Sequence, residues 1–309
     1  MAKIKHKDDP GIGTSYSDKA KRMINPDGSF NVRRIGINYS TKNLYQVLIN
    51  MSWPRFLAMI LITYLVMNII FASIYLFIGI ENLHGFKSRE TFIDDFFIAF
   101  NFSFQTFTTL GYGVLAPSGK LMNSVAAVEA LMGFMGFALA TGLLYGRFSR
   151  PSAELIFSKN ILIAPYQEGF SLQFRIANAR SNMLMEMEAS LIMQMVDLSK
   201  TPPERQFMPL ELERSKILFF PLSWTIVHPI TRESPLHGIK ESDLEHMQIE
   251  FLVHLKGFDD TFSQTVHKRY SYLHEDLIWN ARFEKTFFAD DSGDIHLDMD
   301  KLGEYVKLA

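Results

Sequence analysis

Two long apolar segments dominate the hydrophobic pattern of the chain. Residues 54–80 carry no charged side chain beyond Arg55, and residues 121–147 carry only Glu129 before Arg147. A helix of about 25 residues is about 37 Å long, which is enough to cross a hydrocarbon core of about 30 Å. The alternative is a buried core helix, but such helices are rarely this long or this uniformly apolar. The pattern therefore predicts two membrane spans.

Basic residues flank both predicted spans on the sides away from the segment between them. Four lie before or at the start of the first span and two lie at or after the end of the second: Arg33, Arg34, Lys42, Arg55, Arg147 and Arg150. Two spans put both chain ends on one side of the membrane, and the positive-inside rule makes that side cytoplasmic. We therefore expect a multi-pass plasma-membrane protein with cytoplasmic termini. Its polar N-terminal tail, residues 1–42, carries no targeting signal.

A short amphipathic segment precedes the first span. Leu44, Val47, Leu48 and Met51 follow the spacing i, i+3, i+4, i+7, which is typical of one helix face. Residues 43–52 are therefore predicted to lie along the inner membrane surface. The alternative is the first turn of the span itself, but Pro54 favours a separate helix.

A Phe-rich run lies between the spans. Thr91 and Asp94 have the spacing of a helix capping box, so we expect a helix over residues 91–107. A helix of this length is too short to span the membrane, and between two spans it is best interpreted as re-entrant.

The segment Thr109–Gly113 reads Thr-Leu-Gly-Tyr-Gly. It is similar to the Thr-Val-Gly-Tyr-Gly loop of potassium filters, in which successive backbone carbonyls replace the hydration shell of the ion. Gly111 and Gly113 can adopt the unusual backbone angles that this requires. The sequence predicts K⁺ sites at Thr109, Leu110, Gly111 and Tyr112. A plain surface turn would leave the preceding short helix and the two flanking spans unexplained.

Charge and composition exclude several other classes of protein. Lys and Arg total 31 against 33 Asp and Glu, so no global basic field attracts nucleic acid. The chain has no cysteine, which excludes disulfides and thiolate chemistry. No nucleotide-binding or metalloprotease motif is present, so we expect no enzymatic activity and no organic cofactor. The histidines lack metal-ligand spacing, and His228 and His254 are interpreted as structural.

The hydrophobic period changes after residue 151. Apolar residues alternate with polar ones near Phe174, Ile226 and Val253, and turn residues separate these runs. Such alternation is typical of antiparallel strands. Residues 151–309 are therefore predicted to form an all-β, immunoglobulin-like sandwich.

Together these features resemble the prokaryotic inward-rectifier potassium channels, over about residues 23–288. The matching segments are Ser52–Pro54, the filter, and residues 147–151, 155–158, 174–180, 224–235 and 272–283. The resemblance implies a homotetramer with a membrane α-helical pore of two spans and one re-entrant helix per subunit. The pore domain would cover residues 43–150, and the sandwich would be cytoplasmic and regulatory. The chain departs from animal members, which pair a glutamate with an arginine beside the filter, because Gln105 and Leu115 stand at those positions.

The resemblance also implies residues that gate the pore. Residues spaced by four along the second span would face the pore: Glu129, Gly133, Phe137, Thr141 and Tyr145. Gly133 matches a hinge position, and Phe137 stands where strong rectifiers carry an acid that traps Mg²⁺ or polyamines. We expect Phe137 and Tyr145 to gate the pore; ordinary helix packing is the alternative. Glu129 either contacts ions or makes a structural hydrogen bond behind the filter.

Two further sets of residues follow from the resemblance. Arg147, Arg150 and Lys159 would bind anionic phospholipid headgroups; simple positive-inside flanking is the alternative. Glu186 and Asp260 would line a cytoplasmic vestibule that concentrates cations, and a solvated surface is the alternative.

Three functions remain open from the residues alone. The first is a potassium channel that Ba²⁺, Mg²⁺ or polyamines block and that lipids regulate. The second is a two-span channel of another subfamily, with a nucleotide- or calcium-binding domain. The third is a membrane-anchored β-sandwich that binds a ligand and conducts no ions.

Overall fold

A computed structural model describes residues 9–15, 22–33, 35–36, 44–86, 91–149 and 153–308. The chain divides into two compact units. The helical unit is Gly36–Arg150, and the β unit combines Met1–Ile35 with Pro151–Ala309. Half of the predicted N-terminal tail, and Arg150 of the predicted lipid site, lie outside the described residues.

The helical unit contains four helices and one small hairpin-like pairing among the residues described. The helices are α1 (Leu44–Asn50), α2 (Trp53–Ile78), α3 (Phe92–Phe107) and α4 (Lys120–Phe148). Two short strands, β1 (Leu83–His84) and β2 (Ala116–Pro117), pair with each other in antiparallel orientation. By length and composition, α2 and α4 are both able to cross a membrane.

Local chemistry sets the ends of these helices. Pro54 lies in the first turn of α2, where its missing N–H costs nothing. Gly79 ends the helix with φ at 108°, so α2 stops two residues before the predicted end of the span. The Thr91 hydroxyl accepts the Asp94 N–H and donates to the Asp94 carboxylate, which fixes the start of α3.

The core of the helical unit lies where α2, α3 and α4 meet. Its buried apolar residues are Phe71, Ala72, Tyr75, Ile80, Leu83, Ala99, Phe102, Met122 and Ala126. Most of the remaining apolar surface of α2 and α4 faces outward in the single subunit, as expected for helices whose solvent is lipid.

The β unit contains fourteen strands and one short helix, α5 (Glu241–His246), among the described residues. The strands are β3 (Leu155–Phe157), β4 (Ile161–Tyr166), β5 (Gly169–Asn178), β6 (Leu184–Asp197), β7 (Glu204–Leu210), β8 (Lys216–Phe219), β9 (Ser223–Pro229), β10 (Glu250–Asp259), β11 (Gln264–Leu273), β12 (Leu277–Trp279), β13 (Ala281–Phe283), β14 (Phe287–Ala289), β15 (Ile295–Leu297) and β16 (Tyr305–Lys307).

Two five-stranded sheets enclose the main core of the β unit. One has the order β11-β10-β6-β7 with β8 also on β6, and the other has β12-β4-β5-β3 with β9 also on β5. All of these pairings are antiparallel except β12 with β4. Inward side chains such as Phe174, Met193 and Phe251 fill the space between the sheets, as in a sandwich.

The predicted alternation in β5 is only partly correct. Leu172, Phe174 and Ile176 are buried as expected, but Phe170 is about half exposed and Arg175 is buried. The Arg175 guanidinium lies over the ring of Phe283 and donates to the Glu284 carbonyl oxygen at 2.7 Å. Burial lowers the pKa of Arg175 to about 10. The C-terminal segment therefore covers the face of β5 that the sequence pattern assigned to solvent.

Candidate ion-conduction site

The segment that follows α3 has an alternating backbone. Thr109, Gly111 and Gly113 have φ values of 57°, 54° and 80°, whereas Leu110 and Tyr112 are not among the residues with positive φ. Glycine accepts such angles freely, and a threonine does so only at some cost. An alternating backbone of this kind turns successive carbonyl groups toward a common side.

The amide groups of this segment turn back to the end of α3. The Leu110 and Gly111 N–H groups donate to the Gln105 carbonyl oxygen at 2.9 and 3.4 Å, and the Thr109 N–H donates to Thr106 at 3.1 Å. No residue in the described part of the chain donates a hydrogen bond to the carbonyl oxygens of Thr109–Tyr112. These oxygens remain available as ligands, and hard cations prefer oxygen ligands.

Aromatic packing holds α3 in place behind this segment. The Tyr64 ring of α2 meets Phe104 and Phe107 edge-on at 5.5 and 5.3 Å between centroids. Tyr75 meets Phe102 in the same way at 4.9 Å. These contacts fix the carboxyl end of α3, whose dipole favours a cation nearby.

Helix α4 approaches the end of α3 at Gly133. A Cβ atom at this position would lie 2.0 Å from the Phe107 carbonyl oxygen, so only glycine fits. Glu129, one turn earlier, is fully buried, and its carboxyl group contacts the hydroxyl groups of Tyr75 and Ser103. Within the subunit both residues are buried, so Glu129 has the predicted alternative role, a structural hydrogen bond, and neither Glu129 nor Gly133 lies on an open surface.

Helix geometry explains why the predicted stripe divides. Each residue turns an α-helix by about 100°, so a spacing of four drifts by about 40° per step and by about 160° from Glu129 to Tyr145. Phe137, Thr141 and Tyr145 are exposed in the single subunit, unlike Glu129 and Gly133. Only the later half of the stripe remains a candidate for the pore surface.

The Arg147 side chain makes hydrogen bonds and ring contacts within the helical unit. Its guanidinium donates to the carbonyl oxygens of Leu48, Ile49 and Met51 at 2.5, 2.9 and 2.6 Å. It also lies over the rings of Trp53 and Phe56 at 4.6 and 4.4 Å from their centroids. The side chain thus caps α1 and ties it to α4 with three of its five N–H groups, and its role as a headgroup ligand stays a prediction.

The other charged candidates lie in the β unit. Lys159 is exposed in the turn between β3 and β4. Glu186 and Asp260 are both exposed, Glu186 with φ at 50° near the start of β6, and Asp260 just after β10. The Asp260 N–H donates to the Met183 carbonyl oxygen at 3.3 Å, so the two acidic positions share one end of the sheet.

The histidines predicted to be structural have different surroundings. His228 is buried between the Glu211 carbonyl and the Ser234 hydroxyl, at 2.5 and 2.8 Å, and burial lowers its pKa. His254 stacks on His267 at the surface, with their ring nitrogens 3.1 Å apart. Among the residues described, no three His, Asp or Glu side chains come together as a metal site.

The sequence pattern did not mark Asn68, Tyr75 and Ser103 as polar contacts among α2, α3 and α4. It also did not mark the Gln105 carbonyl oxygen as the acceptor for the amides that follow α3. Asn68 and Ser103 are polar residues inside apolar helices, and that signal alone could have marked them as functional.

Comparison with known proteins adds independent evidence. Residues 155–309 match the family model described as the inward rectifier potassium channel C-terminal domain, and residues 52–150 match the model described as ion channel. The chain is 37% identical over 288 residues to the inward rectifier potassium channel Kirbac3.1 of Paramagnetospirillum magnetotacticum, which covers 92% of this chain and 95% of that protein.

Two vertebrate proteins are more distant relatives. The ATP-sensitive inward rectifier potassium channel 12 of Gallus gallus is 26% identical, over 87% of this chain and 68% of its own. The ATP-sensitive inward rectifier potassium channel 11 of Cavia porcellus is 27% identical, over 94% of this chain and 80% of its own. These proteins are ion channels and not enzymes. The chain belongs to the inward rectifier potassium channel family and is a membrane protein.

Proposed function

We propose that the chain forms a homotetrameric, potassium-selective channel whose filter is Thr109–Gly113. The single observation that carries this proposal is the alternating backbone, with positive φ at Thr109, Gly111 and Gly113 and free carbonyl oxygens between them. One subunit supplies only one such strand of carbonyls, so four copies around an axis are needed to surround an ion.

Conduction in this proposal needs no covalent chemistry. A K⁺ ion exchanges its hydration shell for the carbonyl oxygens of Thr109, Leu110, Gly111 and Tyr112, and neighbouring ions advance one another by repulsion. Leu110 replaces the valine of the usual loop, but only its carbonyl group is required for this step.

We place the gate on the inner half of α4, which is a proposal about the tetramer. Phe137 and Tyr145 are each 73% exposed in the subunit, and Thr141 lies between them. Large apolar side chains on this surface can close a pore by expelling water. Phe137 carries no charge, so we expect no strong trapping of Mg²⁺ or polyamines there, whereas Ba²⁺ is expected to block at the filter.

Regulation by lipid and by the β unit is also a proposal. We place residues 43–150 in the plasma membrane, with residues 1–42 and 151–309 in the cytoplasm; the division into two compact units supports this arrangement. Arg147, Arg150 and Lys159 are candidates for anionic headgroups. Glu186 and Asp260 are candidates for attracting cations, because exposed carboxylates repeated four times create a local negative field.

The decisive variant is Gly111→Asp, measured by rubidium uptake into liposomes that contain the purified protein. The substitution puts a side chain at a φ of 54° and a carboxylate beside the ion path. We expect uptake to fall to the level of empty liposomes. Gly238→Asp is the matched control, because Gly238 also has positive φ, has open space around its Cβ position and lies in the β unit. Uptake by Gly111→Asp equal to that of a conducting wild type would contradict the proposed filter. Uptake no higher than that of empty liposomes by both the wild type and Tyr145→Ala would favour a non-conducting, membrane-anchored β-sandwich.

A further inference from the structure

Behind the proposed filter, three helices meet at one buried polar cluster. Asn68 and Tyr75 come from α2, Ser103 from α3 and Glu129 from α4. Asn68, Ser103 and Glu129 are each fully buried, and Tyr75 is as well. This set, which we name the Glu129 cluster, is the place where polar side chains link all three helices.

The contacts within the Glu129 cluster outnumber the hydrogens of its hydroxyl groups. Tyr75 Oη contacts Glu129 Oε2, and Ser103 Oγ contacts Glu129 Oε1 at 2.5 Å. Ser103 Oγ also lies 3.1 Å from Asn68 Oδ1. Each hydroxyl group carries one hydrogen, so two hydrogens serve three contacts when Glu129 is ionised.

Turning the Asn68 amide over would give Ser103 a hydrogen only by taking one from the Tyr64 carbonyl oxygen. Asn68 Nδ2 donates to the Tyr64 carbonyl oxygen at 2.8 Å. A reversed amide would place two oxygen atoms against each other at that distance, and neither could donate. Asn68 Oδ1 therefore remains an acceptor toward Ser103, and the third hydrogen has to come from the carboxyl group itself.

The surroundings of Glu129 favour the same protonation state. The hydroxyls of Tyr75 and Ser103, from α2 and α3, contact it, and the Tyr64 hydroxyl of α2 is a further titratable group near it. No Lys, Arg or His of the described residues forms an ion pair with it. Burying a carboxylate without a cation is costly, and a neutral carboxylic acid avoids most of that cost.

We propose that Glu129 is held as a neutral carboxylic acid that donates its proton to Ser103 Oγ. Ser103 then donates to Asn68 Oδ1 while Tyr75 donates to the other carboxyl oxygen, and all three contacts are satisfied. Glu129 is thereby a positioning residue: it fixes α3 between α2 and α4. This role rests on the proposed filter, since Gln105, two residues after Ser103, holds the amides of Leu110 and Gly111.

Infrared difference spectroscopy of the full-length protein tests the protonation state directly. A carboxylic acid has a C=O stretch that a carboxylate lacks. We expect this band in the wild type at neutral pH and its loss in Glu129→Gln. Glu168→Gln is the control, because Glu168 is exposed and should contribute no such band. If wild type and Glu129→Gln do not differ in the carboxylic-acid region, Glu129 is ionised and the proposal is overturned.

The positioning role is tested by ion discrimination in liposomes. A glutamine donates from one atom and accepts at the other, as a neutral acid does, so Glu129→Gln should keep the rubidium-to-sodium uptake ratio within about twofold of the wild type. Ser103→Ala leaves buried groups unsatisfied and should lower the ratio by about fivefold or more. Ser73→Ala is the matched control, since among the described residues the Ser73 hydroxyl donates only to the Ile69 carbonyl oxygen of its own helix.

The two readouts separate this inference from the proposed function. The infrared band does not depend on conduction, so it decides the protonation of Glu129 even if the protein conducts no ions. If the band is present but Ser103→Ala and Ser73→Ala discriminate equally, the positioning role is refuted while the filter proposal stands.

Discussion

Replacing Gly133 by alanine should force α3 and α4 apart directly behind the proposed filter. The added Cβ atom would lie 2.0 Å from the Phe107 carbonyl oxygen, 2.8 Å from its carbonyl carbon and 3.0 Å from its Cα atom. All three are backbone atoms, so no side-chain rotation can relieve the overlap. The resemblance to the family implies that Gly133 is a hinge. The close approach of Gly133 to the Phe107 backbone is by itself enough to require a glycine here.

The size of the effect follows from that distance. Cβ atoms in proteins essentially never come within 3.0 Å of another heavy atom, so the helices must separate by about 1 Å or more. Overpacking of this kind costs about 1–3 kcal/mol in each subunit. Phe107 is the last residue of α3 and lies two residues before Thr109, so the displacement should reach the filter as well as lower stability.

The assay is the thermal unfolding of the detergent-purified protein together with its rubidium uptake. Gly142→Ala is the matched control, because it lies on the same helix and its added Cβ meets no atom within 4 Å in the subunit. Alanine is the better helix former by about 1 kcal/mol, so Gly142→Ala should be neutral or stabilising. If Gly133→Ala has a midpoint and an uptake rate equal to those of Gly142→Ala, the argument from close approach is wrong.

Two further predictions follow from buried side chains. Arg147→Gln removes the bonds to the carbonyl groups that end α1, so Trp53 should become more accessible to an aqueous fluorescence quencher; unchanged quenching would show that Arg147 does not hold α1. Burial lowers the pKa of His228 below 6.5, so the unfolded state binds the proton more readily, and stability should be complete above about pH 6.5 and decline as the pH falls further. His228→Gln should flatten this decline in a thermal unfolding series, whereas the exposed His237→Gln should leave it intact; identical pH slopes in both variants would contradict this assignment.

Uniform hydrophobicity is the part of the sequence that predicts the structure best. The bounds predicted for the two spans, 54–80 and 121–147, differ by no more than two residues from α2 and α4. In lipid, a long charge-free segment has to satisfy its backbone hydrogen bonds internally, and a helix does so within one segment. The unusual backbone of the proposed filter also agrees with the sequence, because glycines at alternate positions permit the positive φ angles found at Gly111 and Gly113.

The orientation of side chains around α4 is less readable. A spacing of four residues suggested one common face, but the buried residues Met122, Ala126, Glu129 and Gly133 follow steps of four, three and four. That mixture tracks the true helical period of 3.6. The buried face of α4 is therefore present in the sequence as a mixed spacing of three and four residues, but the prediction followed a regular spacing of four.

Long-range partners account for the remaining differences. Arg147 meets carbonyl groups almost a hundred positions earlier in the chain, and Arg175 is covered by a segment more than a hundred positions later. In the sequence, a basic residue that contacts lipid after a span cannot be distinguished from one that contacts the end of another helix. Local pattern alone cannot distinguish these cases, because backbone acceptors have no sequence signature.

The most direct test of the account is rubidium uptake into liposomes loaded with K⁺, with the purified wild-type protein in the membrane. The account predicts uptake that external Ba²⁺ blocks, that external K⁺ competes with and that Na⁺ does not. The proposed gate can keep the wild type closed, so the same measurement is made on Tyr145→Ala. Uptake that Na⁺ replaces equally, or no uptake by either protein as an intact tetramer, would contradict the claim that Thr109–Gly113 forms a potassium-selective filter.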